Sequence, residues 1–215
     1  DSLGASSTAT FTATINGRYT PPPKAYSDDI FTNEDTSVAL NVLDNDQTIN
    51  GIKTVTQVQG DTNNVGQTVS GDNGGLFSIN ADGSTSFDPN GDFDYLSTAN
   101  NHVHTSIQYT MANSEGIELT TSVVIHISGV NDAPNAVDDL ATIDAGSNQF
   151  VAGFNGHALI TANDTDAEGD SFSITEVNGT AFNNEGTLSV EGDNGGTFLV
   201  FLYVDGFSLL KYFFR

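Results

Sequence analysis

A repeat period of about 110–120 residues, the size of one β-sandwich domain, is the strongest constraint on how this chain can fold. SGDNGG (Ser70–Gly75) returns as EGDNGG (Glu191–Gly196), 121 residues later, and TVTQVQG (Thr54–Gly60) returns as SITEVNG (Ser173–Gly179), 119 residues later. SLGASSTATFTATING (Ser2–Gly17) matches SEGIELTTSVVIHISG (Ser114–Gly129) at an offset of 112, and Asp28-Asp29 reappears as Asp138-Asp139 at 110. The two larger offsets imply an insertion early in the second copy. A unit repeated at this length folds around its own core and stacks in series. Residues 1–20 therefore read as the tail of a preceding repeat, about 21–133 as one complete repeat, and 134–215 as a second repeat that stops early. Pro21-Pro22-Pro23 and Ala133-Pro134 mark the joints, where proline stiffens a connection and cannot continue a central strand. With no initiator Met and no basic, apolar leader, the chain reads as a mature or excised fragment.

Alternation at period two predicts strands within each unit. In TATFTATI (Thr8–Ile15) the residues Ala9, Phe11, Ala13 and Ile15 fall on one face, with threonines on the other. Ser37–Leu43, Ser106–Met111 and Thr121–Ile127 follow the same pattern. Asp72-Asn73-Gly74-Gly75 and Ala81-Asp82-Gly83 are hairpin signals, because Asn-Gly and Asp-Gly accept positive φ. No window carries a helical stripe. The expected fold is all-β: tandem Ig/cadherin-like Greek-key β-sandwiches, one complete and partial ones at both ends.

Charge narrows the function. Asp and Glu number 28 against 5 Lys and Arg, a net charge of −23. Nucleic-acid binding and attraction to anionic lipid both need basic patches, so both are excluded. Leu, Ile, Val and Phe make up about a quarter of the chain, above the roughly one-fifth that marks disorder, so it folds. Cysteine is absent, which leaves no disulfide or thiolate cross-link. Excess carboxylate makes Ca2+ the expected substitute, since calcium takes six to eight hard oxygen ligands.

Four clusters have the spacing for it: the joint set Asn131, Asp132, Asp138 and Asp139, with Asp28 and Asp29 upstream; Asp44, Asn45 and Asp46; Asp164, Asp166, Glu168 and Asp170; and Asp88, Asn90, Asp92 and Asp94. Ordinary Asx turns are the competing reading for each, most of all for the last. The EF-hand spacing is not met, so calcium here is expected across loops, with ligands from both neighbouring domains. His102 and His104 lie on one strand face without a third ligand at a zinc spacing and read as solvated, while His126 and His157 read as structural. Cys nucleophiles, a G-x-S-x-G elbow and H-E-x-x-H are all missing, so the chain is read as no enzyme.

FDPNGDFDYL (Phe87–Leu96), SIQYTMANSEG (Ser106–Gly116) and TTSVVIHISGVNDAPNAVDD (Thr121–Asp139) together resemble the bacterial VCBS repeat. That repeat belongs to the cadherin-like tandem repeats of large secreted adhesins. The resemblance covers most of the chain, and GVNDAP followed by Asp-Asp is its most specific part. It implies extracellular β-sandwiches stacked in series, often with calcium at the joints, in biofilm adhesins and some polysaccharide-degrading proteins, without catalysis. The chain departs from the pattern twice. The first joint, NGRYTPPPKAYSDD, lacks the Asn-Asp pair, and the stretch LVFLYVDGFSLLKYFFR (Leu199–Arg215) is unusually apolar. An unfinished sandwich exposes strand edges, so the strand at residues 8–15 of one molecule is expected to complete the last sandwich of the next, head to tail. The alternative function is a carbohydrate-binding module, with Tyr19, Tyr26, Phe93 and Tyr95 as candidates for an aromatic platform and Phe93 and Tyr95 expected to pack in the core.

Overall fold

The computed structural model describes residues 4, 6–14, 22–48, 51, 53–98, 101–138, 161–171, 173–181, 187–193, 196–202 and 208–213. One four-stranded sheet contains β1 (Asp28–Asn33), β3 (Lys53–Val58), β7 (His102–Asn113) and β8 (Glu118–Ser128) in the order β1-β8-β7-β3. The other contains β2 (Val38–Asn41), β4 (Thr68–Ser70), β5 (Leu76–Ile79) and β6 (Ser84–Asp88) in the order β2-β6-β5-β4. β7 and β8 form a long antiparallel hairpin, while β1 runs parallel to β8 with Asn33 opposite Ser128. The expected sandwich is present.

Alternation decides what lies between the sheets. Val123, Ile125 and Ile127 of β8 and Ile107, Tyr109 and Met111 of β7 are buried, and they meet Phe77, Ile79 and Phe87 from the facing sheet. Phe77 and Phe87 pack with ring centroids 4.7 Å apart, a spacing at which tilted rings attract. Phe93 and Leu96, from the turn after β6, close one end of the core. Tyr109 reaches the other end, where its hydroxyl donates to Val42 O at 2.7 Å.

The GDNGG hairpin signal marks a built turn. Gly71 N–H donates to Gly75 O at 3.0 Å, and Asp72 leans across to accept from the Ser106 N–H at 2.6 Å and its hydroxyl at 2.8 Å. Partial burial works against this carboxylate, but those bonds outweigh it and hold its pKa below the usual range. The second copy of the motif closes the same way, Gly192 N–H to Gly196 O at 2.9 Å. It joins β11 (Thr187–Glu191) to β12 (Thr197–Leu202), which pairs in turn with β13 (Ser208–Phe213). This meander matches β4-β5-β6 of the first unit, with Leu202 opposite Ser208. A short ribbon, β9 (Glu176–Val177) with β10 (Thr180–Ala181), precedes it.

One expected strand is not formed. Residues 6–14 belong to no strand and are exposed, with Phe11 90% accessible. Alternation alone does not hold a strand, because its backbone groups need a neighbour to pair with.

Candidate functional site

Where β1 ends, the chain turns through Glu34 and Asp35 toward β2. The parallel pairing continues one residue past the strand, with Glu34 N–H donating to Ser128 O at 3.1 Å. This sets the turn beside the segment leaving β8, and Glu34 Oε1 accepts the Val130 N–H at 2.6 Å. Two residues on, the Asp132 N–H donates to Glu168 Oε1 at 2.8 Å. Glu168 comes from the loop at residues 161–171, which is fastened to the joint by a two-way bridge between Asn135 and Thr165 and by Val137 N–H on Asp164 Oδ1 at 2.8 Å.

Carboxylate oxygens of Glu34, Asp132 and Glu168 thus lie within 4.8 Å of one another. Glu34 is only 3% exposed. The second oxygens of Glu34 and Glu168 are buried without a hydrogen-bond partner. Burial raises the Glu34 pKa, as do the charges of Asp132, Asp35 and Glu168, against the Val130 bond that lowers it. Asp132 is raised by desolvation and then by Asp35, Glu168, Asp94 and Asp166. Converging carboxylates out of bulk water resist common ionisation unless a cation lies between them. Hard anionic oxygens in this arrangement suit calcium, and the two orphaned oxygens are the donors such an ion would use.

The other candidate residues divide between turns and this field. Asp166 accepts from the Asp170 N–H at 2.8 Å, closing a turn, while its charge acts on Asp132. Asn131 bonds to Asp132 O at 2.6 Å. Asp138 is exposed, its carbonyl 3.4 Å from Asn163 Nδ2, and Asp139 lies outside the described residues. In the Asp88–Asp94 run, Asp88 accepts the Asn90 N–H at 3.0 Å and Asp92 the Gly75 N–H at 2.8 Å, both as turn braces. Asp94 adds its charge to the joint. Glu34 and Asp35 are the residues that sequence patterning did not single out. They sit nearly 100 positions from their partners, and only the parallel β1–β8 register brings them there.

The upstream joint repeats the same backbone without the same acids. Lys24 and Gln47 form the bridge that Asn135 and Thr165 form downstream. Tyr26 N–H donates to Asp46 Oδ1 at 2.7 Å, and Asn45 Nδ2 donates to Ser27 O at 3.0 Å, as Val137, Asp164 and Asn163 do below. This equivalence corrects the Asp-Asp alignment by one residue: Asp28 corresponds to Asp139, and Ser27 to Asp138. It also places Thr48 and Asn50 where the second copy has Asp166 and Glu168. Lys53 lies here instead, its ammonium donating to Leu43 O and, at 2.8 Å, to Asp46 O. Asp28 and Asp46 flank the Tyr109 hydroxyl at 3.3 and 3.4 Å. Burial, followed by the charges of Asp46, Asp29 and Asp44 and opposed by the Tyr109 bond, pushes Asp28 up to about 6. Asp44 is exposed, and Asp29 points to the opposite face, toward His126.

The aromatic candidates separate. Phe93 is in the core as expected, but Tyr95 is 56% exposed because the turn after β6 directs it outward. Tyr26 is partly exposed, and Tyr19 lies outside the described residues.

A family model described as a bacterial Ig domain matches residues 20–126 and, separately, 131–208. The chain belongs to the bacterial Ig domain family. No curated protein matches it. The matches support a bacterial Ig-like repeat and do not reach the narrower VCBS or cadherin-like type. Glu34 falls within the first Ig match and Asp132 and Glu168 within the second, so the carboxylate cluster spans the two. Among the described residues no helix is long and apolar enough to cross a membrane.

Proposed function

We propose that this chain is a calcium-braced structural segment of a bacterial surface or secreted adhesin, with its Ig domains of the VCBS or cadherin-like type. The observation that carries the reading is the convergence of Glu34, Asp132 and Glu168 from two successive Ig matches, with buried oxygens on Glu34 and Glu168 lacking any partner. Ca2+ held there neutralises carboxylates that otherwise repel. Because its ligands come from both sides of the joint, it resists bending between the domains. Asp166, Asp35 and Asp94 add negative field around it. A stiff, acidic rod of this kind serves as a spacer that presents an adhesive end, in a biofilm matrix or at a cell surface.

Calorimetric titration of Ca2+ into the chelator-stripped chain, beside a Mg2+ control, tests the reading. Saturable calcium heats that fall sharply in Glu168→Gln are expected, and no saturable heat would refute the proposal.

The exposed, strand-free segment at residues 6–14 supports a second element: donation of this segment to a neighbouring copy, building a head-to-tail filament. Deleting residues 1–20 is then expected to leave monomers in sedimentation. Polysaccharide binding has less support, since Phe93 is buried and Tyr95 and Tyr26 lie in different turns.

A further inference from the structure

The outer face of the β1-β8-β7 sheet carries a cluster that the joint does not use. His104 stands directly opposite His126 in the β7–β8 ladder, and Phe31 stands opposite His126 in the β1–β8 ladder. The Phe31 and His126 rings stack at 4.6 Å with 14° between their planes, which fixes the imidazole upright on the sheet. Its Nε2 lies 3.1 Å from Asp29 Oδ1. The His104 ring is 6.2 Å from that of His126, centroid to centroid. His102, on the same face two residues before His104, lines a surface hollow of about 340 Å³ with Phe31, His126 and Ser128.

We infer that this face holds a divalent transition metal of the zinc class, ligated by His126, His104 and Asp29. The donor chemistry selects the ion. Imidazole nitrogens with one carboxylate suit Zn2+, Cu2+ and Ni2+, whereas calcium takes oxygen. One pair already stands at ligand spacing. Ligand atoms about 2.0–2.1 Å from a tetrahedral ion stand roughly 3.3 Å apart, and about 2.9 Å apart at a right angle; the 3.1 Å between His126 Nε2 and Asp29 Oδ1 lies between these values. A metal there takes the place of the His126–Asp29 contact. As placed, the three ligand atoms do not all lie within 4.8 Å of one another, so closing the third bond requires the exposed His104 ring to swing in by side-chain rotation. His126 is one-third exposed and Asp29 more than half, so an ion reaches the site from solvent. The three ligands come from three neighbouring strands, so the ion clips edge strand β1 to the β7–β8 hairpin.

The test is a Zn2+ titration of the full chain in calcium-saturated buffer, which occupies the acidic clusters first. One zinc per chain is expected, with affinity reduced roughly tenfold or more in His104→Gln and in His126→Gln. Melting of His104→Gln in zinc-free buffer should match the parent, since the His104 side chain is exposed. Broadening of NMR signals by Cu2+ in the unaltered chain gives a readout independent of variant folding. Loss confined to the surroundings of residues 29, 104 and 126 supports the site. No saturable zinc binding, zinc affinity unchanged in both variants, or broadening confined to residues 34, 132 and 168 would overturn it.

Discussion

The Asp132 N–H donates to Glu168 Oε1 across 36 positions of sequence, at 2.8 Å. This bond sets the loop that carries Glu168 against the segment leaving β8, both within the second Ig match, and Glu34 of the first match reaches the same segment through the Val130 N–H. The other Glu168 oxygen is buried with no hydrogen-bond partner among the described residues, and the carboxylate stands within 4.8 Å of those of Asp132 and Glu34. Backbone geometry alone therefore assembles the acid cluster.

One consequence is an inverted pH dependence. Asp28 is pushed up to about 6, and Glu34, Asp46 and Asp132 are raised as well. Each binds its proton more tightly when folded than when unfolded. Their contribution is thus fully present below the unfolded value of about 4 and is lost as pH rises through the folded values. In chelator, the melting temperature should climb as pH is lowered from 7 to 5. In saturating calcium the trend should flatten or reverse, because protons compete with the ion for Glu34 and Asp132. Scanning calorimetry at several pH values checks both.

Tyr109→Phe should destabilise the first domain by about 1–2 kcal/mol, by stripping a buried donor from Val42 O. It should also raise the Asp28 pKa further, since the Tyr109 hydrogen bond lowers it. Urea unfolding and carboxyl NMR titration report the two effects separately.

The sandwich itself was legible in the sequence, because alternation in Thr121–Ile127 and Ser106–Met111 and the recurring GDNGG turn are local signals. The joint was legible only in part. Asp132, Asp166 and Glu168 lie in dense acidic runs and could be singled out, but Glu34 looks like an ordinary turn residue. Its role depends on the parallel β1–β8 pairing, which no local pattern encodes. Sequence places His102 and His104 on one strand face, but His126 reads as a strand residue until the register sets it opposite His104. Residues 8–15 failed differently, since their pattern describes a strand but supplies no partner.

Lys53→Met probes the upstream joint. The ammonium bonds two carbonyls there, and the second copy has Phe172 one position before Ser173, the match of Thr54. Loss of these charge-assisted bonds should cost about 1.5–3 kcal/mol. The cost should be equal in calcium and in chelator, because in sequence the upstream joint has Thr48 and Asn50 at the positions that match Asp166 and Glu168. Paired denaturant curves measure it.

Gly75→Ala should destabilise by about 2–3 kcal/mol. Gly75 has φ +69°, and a Cβ there would collide with the Phe87 ring and approach Phe93 Cε2 at 3.3 Å. Thermal unfolding of the variant, with calcium present throughout, provides the check.

The most direct measurement compares the melting temperature in calcium with that in chelator, for the parent chain and for the double variant Glu34→Gln, Glu168→Gln. An ion at a hundred times its dissociation constant stabilises by about 2.7 kcal/mol, so the parent should melt several degrees higher in calcium. The double variant should lose that difference, and in chelator it should melt at or above the parent, having shed buried like charges. A parent melting temperature indifferent to chelator, or a calcium shift undiminished in the double variant, would contradict a calcium-braced joint.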